Sequence, residues 1–282
     1  MEANSIKKAY VDTPHGQLHY HYALPRDRPP LDVLVFLHKS ASSSKSYVKL
    51  IEHFHAEGYA CYAPDMPGFG SSFDPSETAI QEILTHGTRW YIDVFMQAFN
   101  TLGIAGPGKT FHVLGHHTGA SLAIEMATVY PEAVKSIGMV GPSVMSAEER
   151  AKMKDRFFAP FNQPVRDGSH LLKTWEYLRN MGVGEDVDLH QREAIDHIRA
   201  WKGRNQIYGA IWAQDKETFF RRASCPILAM CATDDVLYPH FENVRKLRPD
   251  ITPVLIGGAN FSLDRDTDRI IEAWADFIKK GV

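Results

Sequence analysis

A histidine lies between two glycines at the point where a predicted strand meets a predicted helix. The apolar residues 111–114 precede the sequence Gly-His-His-Thr-Gly at 115–119, and a helical stretch of mostly small residues, 120–127, follows. An imidazole with an ordinary pKa near ~6.5 can accept and return a proton at neutral pH. Because the dipole of the following helix disfavours the imidazolium, His117 is expected to be a neutral ring that removes a proton or attacks a carbonyl. The backbone N–H of Thr118 is expected to face the same pocket as an oxyanion donor.

The elements that must position this histidine alternate between short apolar runs and helical stretches. A hairpin is predicted from residues 8–12 and 17–23, which flank a turn at 13–16. Further strands are predicted at 31–37, 59–63, 111–114, 135–140, 227–231 and 254–256, and helices at 47–57, from Ser76 to near Gly103, at 118–129 and at 269–280. The alternation predicts an α/β fold with a doubly wound, mostly parallel sheet.

One stretch interrupts this alternation. Between about 142 and 223 no strand is predicted, and the helical patterning carries many aromatic residues. This stretch is expected to be a helical cap inserted after the sixth strand, leaving a core domain of residues 1–141 and 224–282.

Composition excludes several classes of protein. The 282 residues are 44% hydrophobic and 23% charged, and the net charge of −3 includes no basic block, which argues against nucleic-acid binding. Three cysteines, Cys61, Cys225 and Cys231, are too few for a disulfide framework and favour a reducing compartment. No apolar run approaches the ~18–20 residues of a membrane span, and residues 1–8 lack the apolar core of a signal peptide. A cytoplasmic monomer or homodimer, with a small-molecule substrate as its partner, is expected.

Several short motifs occur in an order that resembles the α/β-hydrolases with a helical cap. In chain order these are His38-Lys39, the Asp-Met-Pro-Gly-Phe-Gly-Ser-Ser turn at 65–72, the Gly-His-His-Thr-Gly motif at 115–119, Pro-Glu-Ala-Val at 131–134, Cys-Pro-Ile-Leu at 225–228 leading to Asp234, and Gly-Gly-Ala-Asn-Phe at 257–261. The resemblance covers nearly the whole chain. It implies that 115–119 is the nucleophile elbow of the family, Gly-x-Ser-x-Gly.

The chain departs from the family at the residues that carry its chemistry. His117 stands where the family has serine, and Asn260 where it has the catalytic histidine. Lys39 replaces the glycine of the oxyanion loop, and only Asp234 matches the catalytic acid. Because Asn260 cannot take a proton near neutral pH, the Ser-His-Asp mechanism cannot be carried over.

The imidazole of His117 and the backbone N–H of Thr118 favour proton transfer on a carbonyl compound. His117 is predicted to act as an acid–base catalyst, or less favourably as a nucleophile, with Asp234 and Asn260 completing the catalytic set and Asp235 as an alternative acid. The predicted reaction is that of a lyase, isomerase or cyclase, or of an atypical ester, lactone or carbon–carbon hydrolase, on a small apolar or aromatic substrate. The alternatives are a non-catalytic receptor or carrier that kept the pocket, and an interaction protein with a vestigial cleft.

Other side chains are candidates for the pocket wall. His38 and Lys39, with Thr118, are expected at the oxyanion loop, although His38 could equally be structural. Aromatic residues of the cap and one histidine are expected to contact the substrate, namely Trp175, Trp201, Tyr208, Trp212 and His170.

No metal or cofactor is predicted. His116 is expected to point away from His117, so that the two rings would not share an ion, and no His-x-x-x-His or Cys-x-x-Cys spacing occurs. Residues 103–110 match the phosphate-loop pattern Gly-x-x-x-x-Gly-Lys-Thr. Here, however, a helix enters the loop and a strand leaves it, which is the reverse of the order that binds phosphate.

Overall fold

The structure is a computed structural model that describes residues 6–157 and 161–280. The first five residues of the N-terminal stretch considered for a signal peptide lie outside the described residues. Eight strands form a single sheet: β1 (Lys7–Thr13), β2 (Gly16–Ala23), β3 (Val33–Leu37), β4 (Ala60–Pro64), β5 (Phe111–His116), β6 (Val134–Val140), β7 (Ile227–Ala232) and β8 (Val254–Ile256).

The sheet has the order β1-β2-β4-β3-β5-β6-β7-β8. β1 pairs antiparallel with β2, and β2 pairs antiparallel with β4, whereas all the remaining pairs are parallel. Every residue of β5 is buried, as expected for a central strand covered by helices on both faces. The predicted doubly wound, mostly parallel sheet and its N-terminal hairpin are therefore confirmed.

Twelve α-helices are described along the chain. They are α1 (Val48–Glu57), α2 (Glu77–His86), α3 (Thr88–Thr101), α4 (Thr118–Val129), α5 (Ala147–Phe157), α6 (Ser169–Asn180), α7 (Val187–Arg199), α8 (Trp201–Ala213), α9 (Lys216–Arg222), α10 (Glu242–Leu247), α11 (Ser262–Arg265) and α12 (Thr267–Lys279). Helices α5 to α9 separate β6 from β7, and the described residues between these two strands contain no strand. No helix in the described part of the chain has both the length and the apolar character needed to cross a bilayer.

One predicted helix is wrong. The long helix expected from Ser76 to near Gly103 is two helices, α2 and α3, which meet at Gly87. The backbone of Gly87 has φ 61° and ψ −137°, a conformation that ends the helix and that glycine adopts without strain. The predicted cap of the first helix is confirmed, since Ser76 Oγ accepts a hydrogen bond from the N–H of Ala79 at 3.2 Å.

The parallel strands bring their carboxyl ends to one edge of the sheet. The residues that follow β5, β6, β7 and β8 there include His117, Gly141, Asp235 and Asn260. Ligands of open α/β sheets bind in the crevice at this edge. The sheet topology therefore brings together residues that are far apart in the sequence. His117 and Asn260, for example, are 143 positions apart.

Candidate active site

A sharp turn between β5 and α4 presents His117. Its backbone has φ 46° and ψ −103°, which is rare for a residue with a side chain. The N–H of His117 donates to the carbonyl of Val140 at 2.9 Å, and its carbonyl accepts from the N–H of Ser121 at 3.0 Å. At Gly119 an added Cβ would lie 1.9 Å from the carbonyl oxygen of Leu37. The spacing of the elbow motif thus reflects close packing of α4 against β3.

His117 and Asp235 form a hydrogen-bonded pair. The Nε2 of His117 lies 2.7 Å from Asp235 Oδ2, and Asp235 Oδ1 accepts the N–H of Leu237 at 2.8 Å. The Asp235 side chain is 1% exposed and that of His117 is 13% exposed. An ionised carboxylate only accepts hydrogen bonds, so beside an ionised Asp235 the donor is Nε2, and a neutral His117 ring then has its lone pair on Nδ1. Within residues 6–157 and 161–280, Nδ1 has no protein hydrogen-bond partner.

Gly141 makes room for this pair. It follows β6 with φ 57°, and a Cβ added there would lie 2.3 Å from Cδ2 of His117 and 3.1 Å from Asp235 Oδ2. Real side chains do not approach so closely, so any larger residue would displace the imidazole. Gly141 therefore contributes to the site because it has no side chain.

Asp234 and Asn260 bond to loop residues, and among the described residues neither is hydrogen-bonded to His117. Asp234 Oδ1 accepts the N–H of Ala259 at 2.9 Å. Asn260 Oδ1 accepts the N–H of Val236 at 3.2 Å, and its amide nitrogen lies 3.6 Å from the sulfur of Met181. Of the two acids weighed from the sequence, the structure pairs Asp235 with the imidazole and places Asp234 against the loop after β8.

The orientation expected for His116 is wrong. Successive side chains of a strand point to opposite faces, but the positive φ of His117 ends that alternation. The two imidazole rings therefore lie side by side, with centroids 4.5 Å apart. His116 is 1% exposed, and burial, followed by the neighbouring His117 and Lys39, lowers its pKa well below the ordinary value.

Two of the residues predicted for the pocket wall, His38 in the loop after β3 and Thr118 at the start of α4, are held in different ways. His38 is fully buried and uses both ring nitrogens: Nδ1 donates to the carbonyl of Lys39 at 2.8 Å, and Nε2 accepts the N–H of Met66 at 2.9 Å. Its ring therefore supports the loop. Thr118 lines the cleft and begins α4, whose first N–H groups have no acceptor within the helix.

Lys39 lines the cleft, but a carboxylate holds its ammonium group. Its Nζ lies 2.8 Å from Glu193 Oε2 on α7 and 4.0 Å from the centroid of the Phe261 ring. Arg192 pairs with Glu193 at 2.8 Å and with Asp264 at 2.7 Å. Burial alone would raise the pKa of Glu193, but the two cations hold it well below the ordinary value. This cluster connects the loop after β3 to α7.

A cleft that is partly open to solvent lies beside the His117–Asp235 pair. Tyr208 and Trp212 line it as predicted, whereas Trp175 and Trp201 do not. Trp175 stacks on His190 with centroids 3.5 Å apart, and Trp201 lies 5.3 Å from the ammonium group of Lys202. The other residues that line the cleft include Ser40, Ser143, Met153, Tyr177, Leu178, Met181, His197, Val236 and Leu237.

His170 is also outside the cleft. Its Nδ1 accepts the N–H of Val165 at 3.3 Å, next to the start of α6. The predicted contact between His170 and a substrate therefore finds no support in the position of the ring.

Sequence reasoning missed three residues around the cleft. Gly141 and Ser143 follow the end of β6, which lies beside β5. Because ligands bind at the carboxyl ends of neighbouring parallel strands, this position could have identified them. Glu193 carries a different signal, an acid on the buried face of an amphipathic helix together with Leu189 and His197. An acid in that position requires a buried cation as its partner.

The comparisons with known proteins agree with this architecture. A model of the alpha/beta hydrolase fold family matches residues 32–261. Among solved structures, an epoxide hydrolase from Vigna radiata has a TM-score of 0.78 at 16% identity and covers 99% of this chain and 100% of its own. The enol-lactonase of Burkholderia xenovorans LB400 has a TM-score of 0.76 at 16% identity, with 96% and 100% covered.

Sequence relatives match only in part. A haloalkane dehalogenase of Mycobacterium marinum is 38% identical over 84 residues, which are 30% of this chain and 27% of that protein. Human Protein ABHD8 is 24% identical over 222 residues, 76% of this chain and 46% of that protein. The chain thus spans less than half the length of these curated relatives. With a family model that covers most of the sequence and a sheet that has the expected order, the chain belongs to the alpha/beta hydrolase fold family.

Proposed function

We propose that this protein is an enzyme that uses His117 as an acid–base catalyst on a small apolar or aromatic carbonyl compound, without a Ser-His-Asp triad and without a cofactor. The observation that carries the proposal is the 2.7 Å hydrogen bond between His117 Nε2 and the buried Asp235, at the base of a cleft. A carboxylate on one ring nitrogen fixes the tautomer and stabilises the imidazolium that forms when the other nitrogen takes a proton.

The proton transfer is assigned to Nδ1 of His117. This nitrogen removes a proton from the carbon next to the substrate carbonyl, and the electron pair of the broken C–H bond moves toward the carbonyl oxygen as an enolate. The N–H groups at the start of α4, from Thr118 onward, are the donors for that oxygen. The imidazolium then returns the proton to another atom, as a lyase, an isomerase or a cyclase requires. If the base instead acts on water, the reaction is hydrolysis of an ester, a lactone or a carbon–carbon bond.

A helical cap formed by residues 142–223 is part of the proposal, over a core of residues 1–141 and 224–282. Helix α8 supplies Tyr208 and Trp212 to the cleft, and α6 supplies Tyr177. Aromatic side chains favour a substrate with a sizeable apolar surface. A nucleophilic role of His117, in which the ring attacks the substrate carbonyl, is the less favoured version of the proposal.

Turnover by the wild-type protein and by His117→Ala tests the proposal. The first panel contains enol lactones, aryl esters and β-hydroxy ketones, since one structural neighbour is named an enol-lactonase. Loss of a positioned acid–base group lowers rates by about 100- to 10,000-fold, so His117→Ala should lose turnover by that factor while its thermal unfolding stays cooperative. Full activity of the folded variant would contradict the proposal. Tight ligand binding without product would support a receptor or carrier instead.

A further inference from the structure

The two neighbouring imidazoles and the Asp235 carboxylate bring three potential metal ligands together. One donor atom from each of His116, His117 and Asp235 can be chosen so that all three lie within 4.8 Å of one another. Nitrogen and carboxylate oxygen bind Zn²⁺ at about 2.0–2.2 Å, so two ligands on one tetrahedral ion are about 3.4 Å apart. Small side-chain adjustments would bring the three donors to that spacing. The expectation that the rings diverge, which argued against an ion, does not hold in the fold.

His116 gives an independent reason to consider an ion. It is 1% exposed, and neither ring nitrogen has a hydrogen-bond partner among the described residues. Two other buried histidines, His38 directly after β3 and His112 on β5, use both ring nitrogens. A buried polar group without a partner costs free energy unless a ligand satisfies it. The ring of His116 lies next to that of His117, with centroids 4.5 Å apart, and one of its nitrogens is within 4.8 Å of a donor atom of His117 and of Asp235.

We propose that His116, His117 and Asp235 form a binding site for one divalent transition-metal ion of the Zn²⁺ type. Two imidazoles and one carboxylate are a ligand set for Zn²⁺, Co²⁺ or Fe²⁺ and not for Mg²⁺, which prefers oxygen ligands and water. The ion would replace the proton between His117 and Asp235. It would therefore inhibit the metal-free proton transfer proposed above. The metal site itself does not depend on that proposal, because binding is measured without a substrate.

Equilibrium dialysis with Zn²⁺ and visible absorption spectra with Co²⁺ test the site on the full chain after treatment with a chelator. One Zn²⁺ per chain and a Co²⁺ spectrum typical of low coordination number are expected, with no comparable binding of Mg²⁺. His116→Gln and Asp235→Asn should each weaken Zn²⁺ binding by at least about 100-fold, because even the loss of a supporting outer group costs about 10- to 100-fold. The matched control is His240→Gln, which removes a histidine paired with Glu149 at 3.0 Å and should leave binding unchanged.

If His116→Gln does not fold, the imidazole ¹⁵N resonances of the wild-type protein provide the second measurement. Addition of Zn²⁺ should shift the resonances of both His116 and His117. Absence of stoichiometric binding, equal binding of Mg²⁺, or binding that survives Asp235→Asn would overturn the inference. Turnover in the presence of the chelator tests the proposed function separately, so either idea can fail while the other stands.

Discussion

The elbow after β5 and the loop after β8 both carry an unexpected residue, but the two side chains are used differently. His117 at the elbow pairs with a buried carboxylate through one nitrogen and leaves the other without a protein partner in the described part of the chain. Asn260 in the loop after β8 accepts the N–H of Val236 and contacts Met181. Its amide therefore connects this loop to the loop after β7. This difference is the reason that the proposed function assigns proton transfer to the elbow and not to the loop after β8.

The pair of adjacent acids gives the sharpest way to test that difference. Asp235→Asn should lower turnover by about 100- to 10,000-fold, because an amide would stabilise the wrong tautomer of His117 and could not stabilise the imidazolium. Asp234→Asn is the matched control, since this acid accepts the N–H of Ala259, whereas Asp235 is the acid hydrogen-bonded to the imidazole. Steady-state kinetics of both variants on one substrate decide the matter. A larger loss for Asp234→Asn would reverse the assignment.

Gly141→Ala disturbs the elbow pair without removing any functional group. The new Cβ would meet Cδ2 of His117 at 2.3 Å, so the ring must turn away from Asp235. A loss of turnover of about 10- to 100-fold is expected, since a misplacement of about 1 Å can cost 100-fold. The control is Gly209→Ala on α8, where an added Cβ meets nothing within 4 Å. Wild-type turnover by Gly141→Ala would mean that the ring position does not matter.

The cluster around Lys39 should affect stability more than chemistry. Glu193→Gln leaves the buried ammonium group of Lys39 without its carboxylate, while Arg192 keeps its pair with Asp264, and the change should cost about 3–5 kcal/mol in the free energy of unfolding. Urea denaturation measures the loss. Glu242→Gln breaks an exposed pair with Arg245 and should change stability by less than about 1 kcal/mol. Equal effects of the two substitutions would show that the buried cluster is not an anchor.

Lys216, the first residue of α9, should make the stability of the fold depend on pH. It is 1% exposed, its Nζ donates to the carbonyl of Ile211 at 2.9 Å, and burial lowers its pKa to about 7. Between that value and the ordinary 10.5, the unfolded chain binds more protons, so stability should rise with pH by up to about 1.4 kcal/mol per pH unit. The full penalty is present below pH 7, and Lys216→Met should remove it.

Thermal or urea unfolding of wild type and Lys216→Met across pH 6–10 measures this effect. The slope of stability against pH in this range should be lower in the variant. An unchanged slope would mean that groups other than Lys216 cause the pH dependence of stability. The measurement also separates a pH dependence of turnover from a pH dependence of folding.

The sequence predicts the sheet better than the loops, for a physical reason. A strand buried on both faces needs a continuous apolar run, so β3, β5 and β7 can be read directly from their residues. A one-residue choice in a loop has no such signature. Asp234 accepts a hydrogen bond from the N–H of Ala259, and Asp235 is the acid that pairs with His117. Because Ala259 belongs to a different loop, the local sequence around the two acids does not show this choice.

Helices α6 and α8 illustrate the same limit. Their aromatic residues are visible in the sequence, but the rotation of each helix decides which of them reach the cleft. Tyr208 and Trp212 line the cleft, whereas Trp175 is covered by His190. The side-by-side placement of His116 and His117 was also hidden, because it depends on the positive φ of a single residue.

The most direct test of the central claim compares His117→Ala and Asn260→Ala on the same substrate. Values of kcat/KM, with thermal unfolding to confirm that both variants fold, give the result. We expect His117→Ala to lose about 100- to 10,000-fold and Asn260→Ala to lose less than about 10-fold, since only the imidazole transfers a proton. A loss for Asn260→Ala that equals or exceeds that of His117→Ala would contradict the account.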